Sequence, residues 1–338
     1  MERGTGMAAD IAEQPEVYER MLARTDITPL AARIADRRPR HVVFTARGTS
    51  DHAALYGAYL TEIRLGIPAG LASPSAITVY RARPDLRDCL VVGVSQSGES
   101  PDLGEVVRVA REQGALTLAV TNAPGSPLAE AAQWHVDVAA GPERAVAATK
   151  TYTAELLALL MLVESMRGEP EGLDQLPGLA EETLADTTAL EVAGRYRFAD
   201  RVVTTGRGYA YPTAREAALK LMETSYLAAL AFSGADLLHG PLAMADPDVP
   251  VLAVVGHGPG GQAMRDVLAR LRERKADVVV VGGEASDVEV RIPTPAVEEH
   301  IAALLDIIPL QRLALAIALA RGENPDAPRG LKKVTATL

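Results

Sequence analysis

A chain of 338 residues, 48% hydrophobic and 23% charged, is long enough for two domains of ordinary size and too apolar for disorder. Its formal charge of −10, with no basic stripe, argues against nucleic acid as a partner. The single cysteine, Cys89, excludes disulfides within the chain and cysteine-based metal sites and points to a reducing, cytoplasmic setting.

The N-terminal residues carry Glu2, Asp10 and Glu13 ahead of any apolar run, unlike a signal peptide, and Met7 to Leu22 reads as a helical lead-in. His41-Val-Val-Phe-Thr-Ala-Arg-Gly48 is a short strand entering a turn, where Gly48 permits tight geometry and Thr49 and Ser50 supply hydroxyls. Leu90-Val-Val-Gly-Val94 is a buried strand and Asp102 begins an amphipathic helix. Between them stands Ser95-Gln96-Ser97-Gly98-Glu99-Ser100. Three serines and the N–H groups of a helix's first turn offer several donors to one anion, and phosphate is the ligand that this suits. The same residues also make ordinary capped turns, so the string alone leaves both readings open. Val146-Ala-Ala-Thr-Lys-Thr151 precedes an apolar helix starting near Tyr152 and reads equally as a capped helix start or as a ligand contact. Residues 169–194, with Pro170, Pro177 and several acids, read as a linker with a short helix.

The second half repeats the first. His41-Val-Val-Phe-Thr aligns with Arg201-Val-Val-Thr-Thr and Asp88-Cys-Leu-Val-Val with Asp248-Val-Pro-Val-Leu, both at an offset of 160 residues. Ala115-Leu-Thr-Leu-Ala-Val and Ala276-Asp-Val-Val-Val-Val follow at 161. Short Val/Leu-rich runs alternating with helical patterns predict an α/β fold: two tandem units, each a parallel sheet flanked by helices in a flavodoxin-like three-layer sandwich. The expected bounds are a lead-in at 1–35, a first domain at 36–168, the linker at 169–194, a second domain at 195–322 and a tail at 323–338. In the second domain Glu216, Lys220 and Glu223 fall at i, i+4 and i+7 on one helix face. A solvated ion-pair stripe explains that spacing, but the surrounding Ala, Leu, Met and Tyr suggest a buried helix whose charges have a specific task. His239, beside Gly240 and Pro241, suits proton transfer near neutral pH, although a lone loop histidine is usually incidental. Ile301 to Ala320 approaches membrane-span length, but Asp306, Pro309, Gln311 and Arg312 interrupt it, so a buried or interface helix and no membrane are expected. No Gly-x-Gly-x-x-Gly follows a strand and there is no P-loop, which disfavours nucleotide cofactors.

Six motifs stand in order: Ala46-Arg-Gly-Thr-Ser50, Ser95-Gln-Ser-Gly-Glu-Ser100, Val146-Ala-Ala-Thr-Lys150, Glu216-Ala-Ala-Leu-Lys-Leu-Met-Glu223, His239-Gly-Pro-Leu242 and Arg329-Gly-Leu-Lys-Lys-Val334. Together they resemble the double sugar isomerase (SIS) domain family, as in the isomerase half of glucosamine-6-phosphate synthase and in standalone deaminase-type proteins. The resemblance implies a sugar phosphate held by Ser50, Ser95, Gln96, Ser97 and Ser100, with Thr49 and Lys220 also at the substrate and Val146 lining the pocket. It implies Glu223 as the base moving a proton between C1 and C2, and Lys333 as the lysine that assists ring opening. It further implies His239 as a ring-opening histidine reaching across a homodimer, with no metal or redox cofactor.

The synthase's glutaminase domain and its terminal cysteine nucleophile have no counterpart in this sequence, so ammonia release from glutamine by that route is not expected. The expected activity is an aminosugar-phosphate deaminase-isomerase converting glucosamine 6-phosphate to fructose 6-phosphate and ammonium. Alternatives are a fructosamine-6-phosphate deglycase, a synthase-like isomerase using free ammonia or a separate glutaminase, and a sugar-phosphate sensor without turnover. Lys332 beside Lys333 and Met222 beside Glu223 depart from the synthase pattern, and Arg47 is a further candidate for substrate contact.

Overall fold

The computed structural model describes residues 3–168, 172–283, 288 and 290–333. The chain begins with α1 (Thr5–Ala12), α2 (Gln14–Arg24) and α3 (Thr28–Asp36). The lead-in expected as one helix is therefore broken at Glu13. Pro15 has no N–H for the helical ladder, and the Gln14 side chain donates instead to the Ile11 carbonyl at 2.9 Å.

The first repeat runs β1 (His41–Thr45), α4 (Thr49–Leu60), β2 (Ala69–Leu71), α5 (Pro74–Thr78), β3 (Cys89–Ser95), α6 (Pro101–Glu112), β4 (Leu116–Thr121), α7 (Pro127–Ala131), β5 (Trp134–Asp137) and α8 (Lys150–Arg167). In place of a linker with one short helix come two helices, α9 (Leu176–Ala185) and α10 (Thr188–Ala193), while Pro170 lies outside the described residues. The second repeat runs β6 (Arg201–Gly206), α11 (Ala210–Ser225), β7 (Ala228–Ser233), α12 (Gly234–Leu238), β8 (Pro250–Val255), α13 (Pro259–Glu273), β9 (Asp277–Gly282), β10 (Val290–Pro293) and α14 (Glu299–Ala320).

Each repeat forms a five-stranded sheet, in the orders β2-β1-β3-β4-β5 and β7-β6-β8-β9-β10, with every pairing parallel. The strand sequences explain this, because β3, β4 and β8 are buried at every residue and so are covered on both faces. In the first sheet Val91 and Ala119 pack with Leu103, Val106 and Val107 of α6. In the second, Val251, Ala253 and Val255 pack with Met264, Val267 and Leu271 of α13. Burial of each such Val or Leu contributes roughly 1.5–3 kcal/mol. The chain runs from β1 to one side, then crosses to β3 on the other, so the β1–α4 and β3–α6 turns flank the switch point where open α/β sheets bind ligands.

The described residues group into two compact units. One falls within residues 3–15, 144–149 and 177–331, the other within 16–143, 150–176 and 332–333. The first of these holds the second sheet, and the other holds the first.

Among the described residues α14 is the one helix long and apolar enough to cross a membrane, but 83% of its most apolar window is buried within the protein, as in a core helix. Its one interior acid, Asp306, is buried and accepts a hydrogen bond from Thr294 Oγ1 at 2.6 Å. Burial pushes the carboxyl from 3.8 up to about 7, against the opposing pull of that hydrogen bond, and nearby Glu299 adds to the rise. The folded state thus holds a proton that the unfolded chain has lost between these two values. Stability attributable to this group is complete below pH 3.8 and declines as pH rises to about 7. Asp306→Asn should flatten that decline, gaining at most about 4 kcal/mol over the parent at pH 8 and little at pH 4. Urea denaturation across this pH range checks it, and parallel curves for the two proteins would contradict it.

Candidate functional site

In the unit built on the first sheet, the Ser95–Ser100 turn is ordered by its own hydroxyls. Ser95 Oγ accepts the Gly98 N–H at 3.1 Å and Ser97 Oγ accepts the Glu99 N–H at 3.3 Å. Acting as acceptors there, both serines keep a hydroxyl proton for a further acceptor. Gly98 has φ 65, and a Cβ on it would lie 2.1 Å from Ser126 Oγ, so only glycine fits the bend. Gln96, Ser97 and Ser100 are half-buried and Ser95 is buried. Ser100 occupies the cap position of α6, with Pro101 at its first turn.

Thr49 and Ser50 open α4 after Gly48, whose φ is 56. Ser50 is buried, and its hydroxyl donates to Oε1 of Glu155 at 2.8 Å. Glu155 lies fully buried on α8 and was not anticipated from the sequence, although an acid in the run Glu155-Leu-Leu-Ala-Leu-Leu breaks its apolar pattern. Arg47 makes a two-point pair with Asp102 Oδ2, through Nε and Nη2 at 2.8 Å each. Asp102 is buried at the start of α6, so the pair ties the first hydroxyl turn to the second and neutralises an acid beside an anion-suited helix end. Thr45, at the end of β1, is buried with no hydrogen-bond partner for Oγ1 among the described residues, as a polar atom facing a ligand or water would be.

In the other unit α11 carries Glu216, Lys220 and Glu223. Lys220 Nζ lies 2.5 Å from Glu223 Oε2 and 3.2 Å from Glu216 Oε1. Lys220 and Glu216 are fully buried, which rules out a solvated stripe, whereas the Glu223 side chain is 22% exposed. Burial works to lower the lysine's pKa, but the two carboxylates outweigh it and hold the ammonium charged, above its ordinary value. Of the two acids, Glu223 is the one that reaches solvent. Glu216 serves as the sealed counter-charge.

The helix ends at Tyr226, a left-handed residue with φ 55. Its hydroxyl accepts the Arg329 backbone N–H at 2.7 Å, and the Arg329 guanidinium sits 4.0 Å from the ring centroid. Arg329, the first residue of its motif, is thus anchored to the end of the helix that carries Glu223. Within that motif Lys333 is half-buried, and Val334 lies outside the described residues. His239 is exposed, directly after α12, and donates its backbone N–H to Asp236. Val146 is half-buried just after Arg144 and Ala145, whose N–H groups donate to buried Asp10 at 2.7 and 3.0 Å.

Lys220→Met should strand Glu216 as a buried charge and cost about 3–5 kcal/mol in urea denaturation, far more than an exposed lysine. A cost below about 1 kcal/mol would contradict the buried-pair reading. Tyr226→Phe, which removes only the acceptor for Arg329, should cost about 1 kcal/mol and speed tryptic cleavage in the tail. Unchanged cleavage would mean that the contact does not hold the tail.

A family profile for the SIS domain matches residues 37–165 and 196–321. The chain is 37% identical over 339 residues to a glutamine–fructose-6-phosphate aminotransferase (isomerizing) of Methanothermobacter thermautotrophicus, covering 97% of this chain and 56% of that protein. A protein of the same name from Aquifex aeolicus is 34% identical, with 97% and 57% covered. The chain thus spans little more than half the length of these curated relatives. The solved C-terminal domain of glucosamine-fructose-6-phosphate aminotransferase from Francisella tularensis superposes with TM-score 0.86 at 27% identity, covering 97% of this chain and 99% of that one. Glucosamine-6-phosphate deaminase from Thermotoga maritima shares the fold, with TM-score 0.77 at 22% identity and 98% and 100% covered. With a profile that matches both halves and two parallel sheets of this order, the chain belongs to the SIS domain family.

Proposed function

We propose that the chain is an aminosugar-phosphate deaminase-isomerase that converts glucosamine 6-phosphate and water to fructose 6-phosphate and ammonium. The observation that carries this reading is the α11 group: a partly exposed carboxylate, Glu223, kept beside a buried ammonium whose charge a second, sealed carboxylate also balances. A base that must take a proton and return it needs a defined partner in both states, and Lys220 supplies one.

In the proposed reaction the 6-phosphate is bound by hydroxyls and N–H groups of Thr49, Ser50, Ser95, Gln96, Ser97 and Ser100, with Val146 against the sugar. Binding turns the Ser50 hydroxyl from Glu155 toward phosphate oxygen. Holding the sugar by its phosphate orients the reacting carbons, an effect worth roughly 7–11 kcal/mol in ideal cases. His239 and Lys333 assist ring opening, His239 acting on the partner subunit of a homodimer, in keeping with its exposure on its own unit. Glu223 takes the C2 proton of the open-chain aldehyde and returns it to C1, leaving an imine at C2. Water adds to that carbon, the C–N bond breaks, and the nitrogen leaves as ammonium.

Purified protein given glucosamine 6-phosphate should release ammonium and fructose 6-phosphate in equal amounts, and galactosamine 6-phosphate and a fructosamine 6-phosphate should react more slowly or not at all. Glu223→Gln should lower kcat by about 10²–10⁴-fold while ligand affinity stays within a few-fold. Cleavage of the fructosamine 6-phosphate alone would replace this reading with a deglycase. Binding of all three without turnover would make the protein a sensor.

A further inference from the structure

The duplication gives the second half its own counterpart of the Ser95–Ser100 turn. An offset of 160 residues places Val255-Gly256-His257-Gly258-Pro259-Gly260 on it, and β8 and α13 flank this turn as β3 and α6 flank the first. No residue of the second turn carries a hydroxyl. The carboxylate of Glu299, the first residue of α14, occupies it instead: Oε2 accepts the Gly260 N–H at 3.0 Å and Oε1 accepts the Gly261 N–H at 2.7 Å.

The glycines answer to that carboxylate. A Cβ on Gly256 would lie 2.6 Å from Glu299 Oε1, one on Gly258 2.8 Å from its Cδ, and one on Gly260 2.9 Å from Oε1. The turn has therefore given up the hydroxyls that suit an external anion and gained the space that admits an internal one. The first-turn N–H groups of the 15-residue α13 favour negative charge, and the anion that satisfies them is a side chain of the same unit.

We propose that Glu299 is a built-in substitute for a phosphate group, so that each chain takes its phosphorylated ligand in the first half alone and the second turn serves as an internal tie. The statement about the first half rests on the phosphate reading of the Ser95 turn given above. A free phosphate does not displace Glu299, because the carboxylate is covalently held at its site and repels a second anion.

Inorganic phosphate is the probe, and thermal unfolding at matched ionic strength is the readout. Four full-length proteins are compared: the parent, Ser95→Ala with Ser97→Ala, Glu299→Ala, and all three substitutions together. Phosphate should raise the Tm of the parent, the doubly substituted protein should lose most of that response, and adding Glu299→Ala to it should restore a rise of several degrees. A triple variant that responds no more than the double variant overturns the proposal. A double variant that keeps the parent's full response instead strikes at the phosphate reading of the first turn. Should Glu299→Ala fail to fold, Glu299→Gln keeps the shape and removes the charge: its Tm should fall below the parent's, with the deficit largest at low salt. Equal stability of Glu299→Gln and the parent at every salt concentration would overturn the proposal.

Discussion

A parallel strand order of 2-1-3-4-5 forces the chain to leave its first strand in one direction and return on the other side, and this reversal decides where each half gathers helix N–H groups in need of acceptors. At that point two strand ends and two helix N-termini are brought to one edge of the sheet, exposing N–H groups that need acceptors. The first half meets the requirement with the Ser95 and Ser97 hydroxyls. The second meets it with a glycine turn and the Glu299 carboxylate. One architectural constraint thus has two chemical solutions.

Charge placement follows the same economy. Buried acids among the described residues have named partners: Asp102 has Arg47, Glu216 has Lys220, Asp10 has Arg144, and Glu155 receives the Ser50 hydroxyl. Asp306 is different, since burial and its neighbour Glu299 favour its neutral form. Against this background Glu223 stands out as an acid that shares its cation and remains open to solvent. A carboxylate tethered to a fixed ammonium, yet accessible, is suited to a proton that must be taken up and handed back.

Much of this was legible in the residues. The offset of 160 residues predicted a repeated α/β unit, and both sheets show it, because buried parallel strands write themselves as continuous Val and Leu runs. The Glu216, Lys220 and Glu223 side chains at i, i+4 and i+7 on α11 were legible as one face, and their apolar neighbours as a sign of burial. Partners distant in sequence were not: nothing local joins Arg47 to Asp102, Ser50 to Glu155 or Arg329 to Tyr226, and these contacts arise from the crossovers of the fold. The break at Glu13 was missed although Pro15 announced it, because the apolar period continues through it.

The most direct test of the central claim, proton transfer between C1 and C2 of a sugar phosphate, is solvent exchange. Fructose 6-phosphate incubated with the protein in D₂O and ammonium buffer, followed by proton NMR, should lose the signal of one C1 hydrogen and only one, since a single carboxylate acts from one face. A C1 pair that remains undiminished while the protein is folded and the ligand bound would contradict the claim and leave the chain a binder of sugar phosphates.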